Sequence, residues 1–88
     1  MDKYTLCKII HSFSKLENNW MGYGGEPISK EVIEKSIKAI NELDIDTLPD
    51  SVVPTGRNSI QLEWNQNDAY MEMEIFEDKV SMLCMKDE

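Results

Sequence analysis

The sequence predicts an α+β domain in two layers, with two N-terminal helices packed on one face of a small antiparallel β-meander in the order ααββββ. Three observations predict it. Apolar residues recur at three- and four-residue steps in the first half of the chain, they recur at two-residue steps in the second half, and the two-residue pattern keeps one phase across three consecutive segments. A chain of 88 residues is read as a single domain, 1–88, with one modest core.

The first helix is expected from Asp2 to about Asn18, where Leu6, Ile9, Ile10, Phe13 and Leu16 form one apolar stripe and Asp2 serves as N-cap. The second is expected from Lys30 to about Leu43. Its inner side carries Val32, Ile33, Ile37, Ile40 and Leu43, its N-cap is Ser29, and Ile28 and Ile33 are spaced for a hydrophobic staple. Glu31 with Lys35 and Glu34 with Lys38 form the expected surface pairs, each worth about 0.2–0.5 kcal/mol.

The period then changes to two. In "SIQLEW" and "AYMEMEIF", Ile60, Leu62 and Trp64 alternate with Ser59, Gln61 and Glu63, and Ala69, Met71, Met73 and Ile75 alternate with Tyr70, Glu72, Glu74 and Phe76, so each segment reads as a strand with one buried face. A four-residue "NQND" loop sets Trp64 opposite Ala69, Leu62 opposite Met71 and Ile60 opposite Met73. "ED" turns into "KVSMLCM", which sets Ile75 opposite Val80, Met73 opposite Met82 and Met71 opposite Cys84, with Cys84 inward. "SVVPT" reads as a short edge strand, because Pro54 has no amide to give a ladder.

Between the helices lies "NNWMGYGGEPIS", with Trp20, Met21 and Tyr23 set among Gly22, Gly24 and Gly25. Trp20, Gly22, Tyr23, Gly24, Pro27 and Ile28, followed by Pro54, Thr55, Gly56, Ile60, Leu62, Glu63 and Trp64, carry a resemblance. The chain resembles a widespread family of small bacterial and phage-borne proteins with a W-x-G-Y-G…P-I-S loop and a P-T…G-x-I-x-L-E-W strand. Met21 stands where such proteins usually have an acid, and "GRN" where they favour an Asp-Gly turn. The resemblance implies the fold and transfers no catalytic residue. The loop itself makes a poor phosphate cradle, since it follows a helix and holds no lysine. A structural clamp is the expectation, with Trp20 closing the core beside Phe13, Trp64 and Ile28 while the glycines supply positive φ. The rival reading makes Trp20, Met21 and Tyr23 a small-ligand or enzymatic site.

Charge is distributed unevenly. Residues 1–41 hold six lysines against five acids, net +1, whereas residues 42–88 hold three basic residues against twelve acids, net −9. That sign disfavours direct binding to nucleic acid or to an anionic membrane and suits a basic partner protein. No run reaches the length of a membrane span, and "MDKYTLCKII" does not read as a secretory signal, so two reduced thiols and a cytoplasmic site of action are expected.

Candidate chemistry is thin. His11, alone of its type, reads as solvated; Cys7 and Cys84 lack metal-ligand spacing, and the six methionines read as adaptable core filling. No catalytic residue, metal or cofactor is assigned. The sheet face away from the helices is the better candidate. It is expected to show Glu63, Glu72 and Glu74 beside Tyr70, Phe76, Leu83 and Met85, carboxylates among apolar and aromatic side chains. The expected function is therefore a non-enzymatic, acidic protein-interaction domain of antitoxin, immunity or phage-inhibitor type. In its sharper form it is an anti-CRISPR or DNA-mimic inhibitor of a nucleic-acid-binding protein. A homodimer or other homo-oligomer built on the edge at "LCMK" is the third reading.

Overall fold

The carboxylate of Asp2 accepts the Thr5 amide at 2.7 Å and so starts the first helix, α1 (Lys3–Ser12). The computed structural model describes residues 1–20, 22, 24–66 and 69–86. α1 is shorter than its apolar stripe suggests. Ser12 turns its hydroxyl back onto the Ile9 carbonyl at 2.6 Å, and Phe13–Lys15 tighten into a 3₁₀ turn before Leu16 becomes extended. A serine that bonds to nearby backbone weakens helix continuation, and Ser14, Asn18 and Asn19 offer the same competition.

Ser29 caps α2 (Lys30–Glu42), accepting the Val32 amide at 3.3 Å, and Ile28 and Ile33 are both buried. The surface pairs are not those expected. Lys30 meets Glu34 at 3.8 Å and Lys38 meets Glu42 at 4.0 Å, while Lys35 leaves the helix surface to donate to the Glu77 carbonyl. An exposed pair is weak enough for a backbone carbonyl to capture the lysine.

β1 (Ser51–Thr55), β2 (Ser59–Gln66), β3 (Ala69–Ile75) and β4 (Val80–Lys86) form one antiparallel sheet in sequential order. The β1–β2 turn is three residues long and ends at Asn58, whose φ of 55° fills the left-handed position that such a hairpin requires. Pro54 does lie on an edge, opposite Ile60. The β3–β4 register is as expected. The β2–β3 register differs by two residues. Trp64 faces Met71, Leu62 faces Met73 and Ile60 faces Ile75, because the strands run on to Gln66 and Ala69 instead of stopping at a four-residue loop. A slip of two preserves which side chains face the helices.

Leu6 and Ile10 of α1, Val32, Ile33 and Ile40 of α2, and Val52, Ile60, Leu62 and Ile75 of the sheet make the core, together with Ile28. α2 packs on β2 and β3, and α1 packs chiefly on α2 with a smaller contact on β1. The main helix contacts fall on β1, β2 and β3, not on β4. The inward stripe therefore does not stay covered across three strands: Val80 and Met82 are 56% and 58% exposed, and Cys84 is exposed as well, not buried against Met71. The methionines likewise divide. Met71 and Met73 are half-buried, whereas Met1, Met82 and Met85 are exposed and fill no core.

Inside, the Ser36 hydroxyl is fully buried with no hydrogen-bond partner. Such an orphan hydroxyl carries a desolvation penalty of about 1–3 kcal/mol. Ser36→Ala is therefore expected to raise stability by about 1 kcal/mol, while Leu62→Ala, which empties a site of zero exposure, lowers it by about 3 kcal/mol. Urea unfolding of the two variants beside the parent measures both.

Candidate functional site

Alternation along β2, β3 and β4 turns Glu63, Tyr70, Glu72, Glu74, Leu83 and Met85 to the side opposite the core. Glu63 stands directly across from Glu72, Glu72 across from Leu83, and Tyr70 across from Met85. Two carboxylates face each other on neighbouring strands. Like charges in that position oppose sheet formation.

Hydroxyl groups soften the repulsion. The Tyr70 hydroxyl lies 3.3 Å from Glu63 Oε2 and 3.3 Å from Glu72 Oε1, and the Ser51 hydroxyl donates to Glu63 Oε1 at 2.8 Å. Partial burial, and then the two negative charges beside it, push the Tyr70 phenol up to about 12. The ring is thus kept neutral as a donor shared by two carboxylates.

Glu74 departs from the expected role. It is buried rather than displayed, and Arg57 from the β1–β2 turn grips it with two parallel bonds of 2.7 and 2.8 Å. Ser59 also donates to it, and Gln61 approaches at 3.4 Å. Burial pushes the Glu74 carboxyl up, but these donors outweigh burial and hold it below the usual carboxylate range. Glu74 is a fastening and has no free lone pair directed at a partner. Phe76 lies beyond the end of β3, half-buried, with the Lys79 ammonium 4.8 Å from its ring centre. Leu83 and Met85, by contrast, are 46% and 55% exposed beside the carboxylates.

Sequence reasoning missed Arg57, Ser51, Ser59 and Gln61. The signal was present: Arg57 is the single arginine, and Ser59 and Gln61 share the outward phase of Glu63.

The loop residue Trp20 lies outside the core cluster, of which Ile28 is a buried member and against which Phe13 and Trp64 pack. Its indole N–H donates to the Glu26 carbonyl at 2.7 Å, which closes the loop on itself instead of closing the core. Asn19 donates its amide to the Gly25 carbonyl at 2.6 Å, and Glu26 donates to the Gly56 carbonyl at 3.0 Å, tying the loop to the β1–β2 turn. Positive φ occurs at Gly22 and Gly24 and at Asn19, and not at Gly25, which is buried. Met21 and Tyr23 lie outside the described residues. A groove of about 450 Å³ opens on the other side of the sheet, lined chiefly by Leu43, Trp64, Met71, Met73 and Met82; Trp20 is not part of it.

Among the described residues no group of three or more His, Cys, Asp or Glu side chains is placed to hold a metal ion. His11 is exposed, and burial pushes the Cys7 thiol up, away from thiolate character. No helix of the described residues is long and apolar enough to cross a membrane. No family model, no curated protein and no solved structure matches the chain.

Two outcomes follow from the geometry. Arg57→Ala leaves Glu74 in its buried position with its charge uncompensated, and stability is expected to fall by about 1–3 kcal/mol. That is less than for a fully enclosed pair, because Arg57 is itself largely in solvent. Since the folded Glu74 carboxyl is held below its ordinary value of 4.5, its contribution is present above that pH and is lost as pH falls beneath it; Glu74→Gln is expected to flatten that part of a stability–pH curve. Separately, a spectroscopic phenol titration should find one tyrosine ionising near 12, and Glu72→Gln should lower it.

Proposed function

We propose that the chain is a non-enzymatic, acidic protein-interaction domain whose outer sheet face binds a basic surface of a partner protein. The observation that carries this reading is the Glu63–Glu72 pair, two carboxylates opposed across strands and joined only through hydroxyl groups. A fold that keeps such a repulsion on an uncovered face gains when a guanidinium or ammonium group settles between the two acids. Leu83 and Met85 supply apolar area beside them, and the net charge of −9 over residues 42–88 steers a cationic partner toward that half of the chain.

The site in this reading is Glu63, Tyr70, Glu72, Leu83 and Met85, with Phe76 at its margin and Glu74 as support from below. α2 packs against β2 and β3 from the opposite face, away from these side chains. The same chemistry suits a cytoplasmic antitoxin, immunity protein or phage-encoded inhibitor, and its natural targets include proteins whose basic surfaces otherwise hold nucleic acid.

Capture of partners from a host lysate by the parent and by a Tyr70→Ala/Glu72→Lys variant tests the reading. A Glu34→Lys variant, in which the charge reversal lies on the exposed surface of α2, serves as control. The expected result is a salt-sensitive partner retained by the parent and by the control, and bound at least about tenfold more weakly by the double variant, roughly 1.4 kcal/mol. Identical partner sets for all three proteins overturn it.

A further inference from the structure

The two edges of the sheet are not alike. β1 carries Pro54 opposite Ile60, so its outer rim already lacks one donor, as protected edges do. β4 has no such guard. From Val80 to Met85 it holds neither proline nor charge, the main helix contacts fall on the other three strands, and Val80, Met82, Leu83, Cys84 and Met85 are all exposed.

The ladder also fixes which backbone groups are spare. Phe76 donates to the Lys79 carbonyl at 2.9 Å, so the hydrogen-bonded pairs of β3 and β4 fall at Glu74 with Ser81, Glu72 with Leu83 and Tyr70 with Met85. Val80, Met82 and Cys84 therefore direct their amides and carbonyls away from the sheet.

We infer that β4 is a self-association edge: two copies of this chain pair antiparallel through β4 and form one continuous eight-stranded sheet. A second copy is the occupant that the charge pattern selects. Each chain carries −8, so two copies meet favourably only along an uncharged rim, and β4 offers one from Val80 to Met85 with all its donors, whereas the uncharged β1 lacks the donor of Pro54. A basic partner gains nothing from an edge without acids, whereas an identical strand matches it in length, apolar character and spare hydrogen-bonding groups.

The two-fold axis follows from the strand. Full overlap of Val80–Lys86 with itself centres the pair on Leu83, the middle of its seven residues. The spare groups of Met82 then bond those of Cys84 in the second copy. Leu83 faces its own mate across a non-hydrogen-bonded site, where Cα atoms approach to about 4.5 Å. On the outer face this sets Leu83 against Leu83 between two Glu63–Glu72 pairs. On the helix side Met82 extends the apolar groove toward the second copy.

Sedimentation of the full chain, read against concentration, tests the inference. The expected result is a dimer with a dissociation constant below about 1 mM, the weak end of specific association. Met82→Pro removes a spare donor and touches no β3–β4 hydrogen bond; Met82→Lys puts a charge on the rim. Each should weaken the dimer at least tenfold with far-ultraviolet dichroism and unfolding unchanged. In a Cys84→Ser background, Leu83→Cys should form a disulfide-linked dimer under mild oxidation, because the approach at that site lies within disulfide range, while Ser81→Cys should not. A strict monomer overturns the proposal and leaves the edge to a strand of another protein. A dimer that both Met82 variants leave intact, or that Leu83→Cys fails to cross-link, overturns it equally. Neither Met82 variant alters the carboxylate face, so loss of dimer and loss of a basic partner are read separately.

Discussion

Glu74 and Ile75 are neighbours in one strand, and both are buried, on opposite faces of the same sheet. Ile75 sinks into the core formed with α2, and Glu74 sinks under the Arg57 guanidinium on the far side. This double anchoring fixes the phase of β3, and the phase of β3 decides everything displayed around it. A slip of one residue would drive Glu72 and Glu74 beneath the helices and expose Met73 and Ile75. Apolar burial resists that slip from one side, and a charge-assisted clamp resists it from the other.

The same alternation that builds the core assembles the acidic face. Leu62 and Met73 meet inward, so Glu63 and Glu72 must meet outward one step along the strands. Their repulsion is a by-product of a register chosen by the core, tempered by Tyr70 and Ser51. A surface whose charges are locked in place by burial elsewhere is pre-organised, and a partner binding there loses little to ordering.

The segment between the helices serves the architecture by fastening backbone to backbone. Asn19 and Gly25 close it, Glu26 ties it to Gly56, and Asn58 accepts the Ser29 amide at 2.8 Å, so the start of α2 is fixed to the same turn that supplies Arg57. Asn58 also donates to Glu77 at 3.2 Å. One short turn between β1 and β2 thus sets the entry of α2 and locks the outer face of β3.

By itself the sequence determined the class of fold, both helix caps, the edge place of Pro54, and which side of β3 carries its glutamates, because these follow from local spacing and from capping chemistry. Glu63, Tyr70 and Glu72 were legible as neighbours for the same reason. Only the tertiary structure decided that Glu74 is clamped while Glu72 is displayed. Both glutamates have the same phase, and the difference lies in Arg57, seventeen residues away and placed by a turn that no periodicity describes. It also decided that β4 stands bare. Period-two patterning records that a strand has an apolar face, and it carries no information on how far the helices reach across the sheet. That reach depends on helix length and packing direction, and here the main contacts of α1 and α2 fall on β1, β2 and β3 and leave Val80 and Met82 exposed.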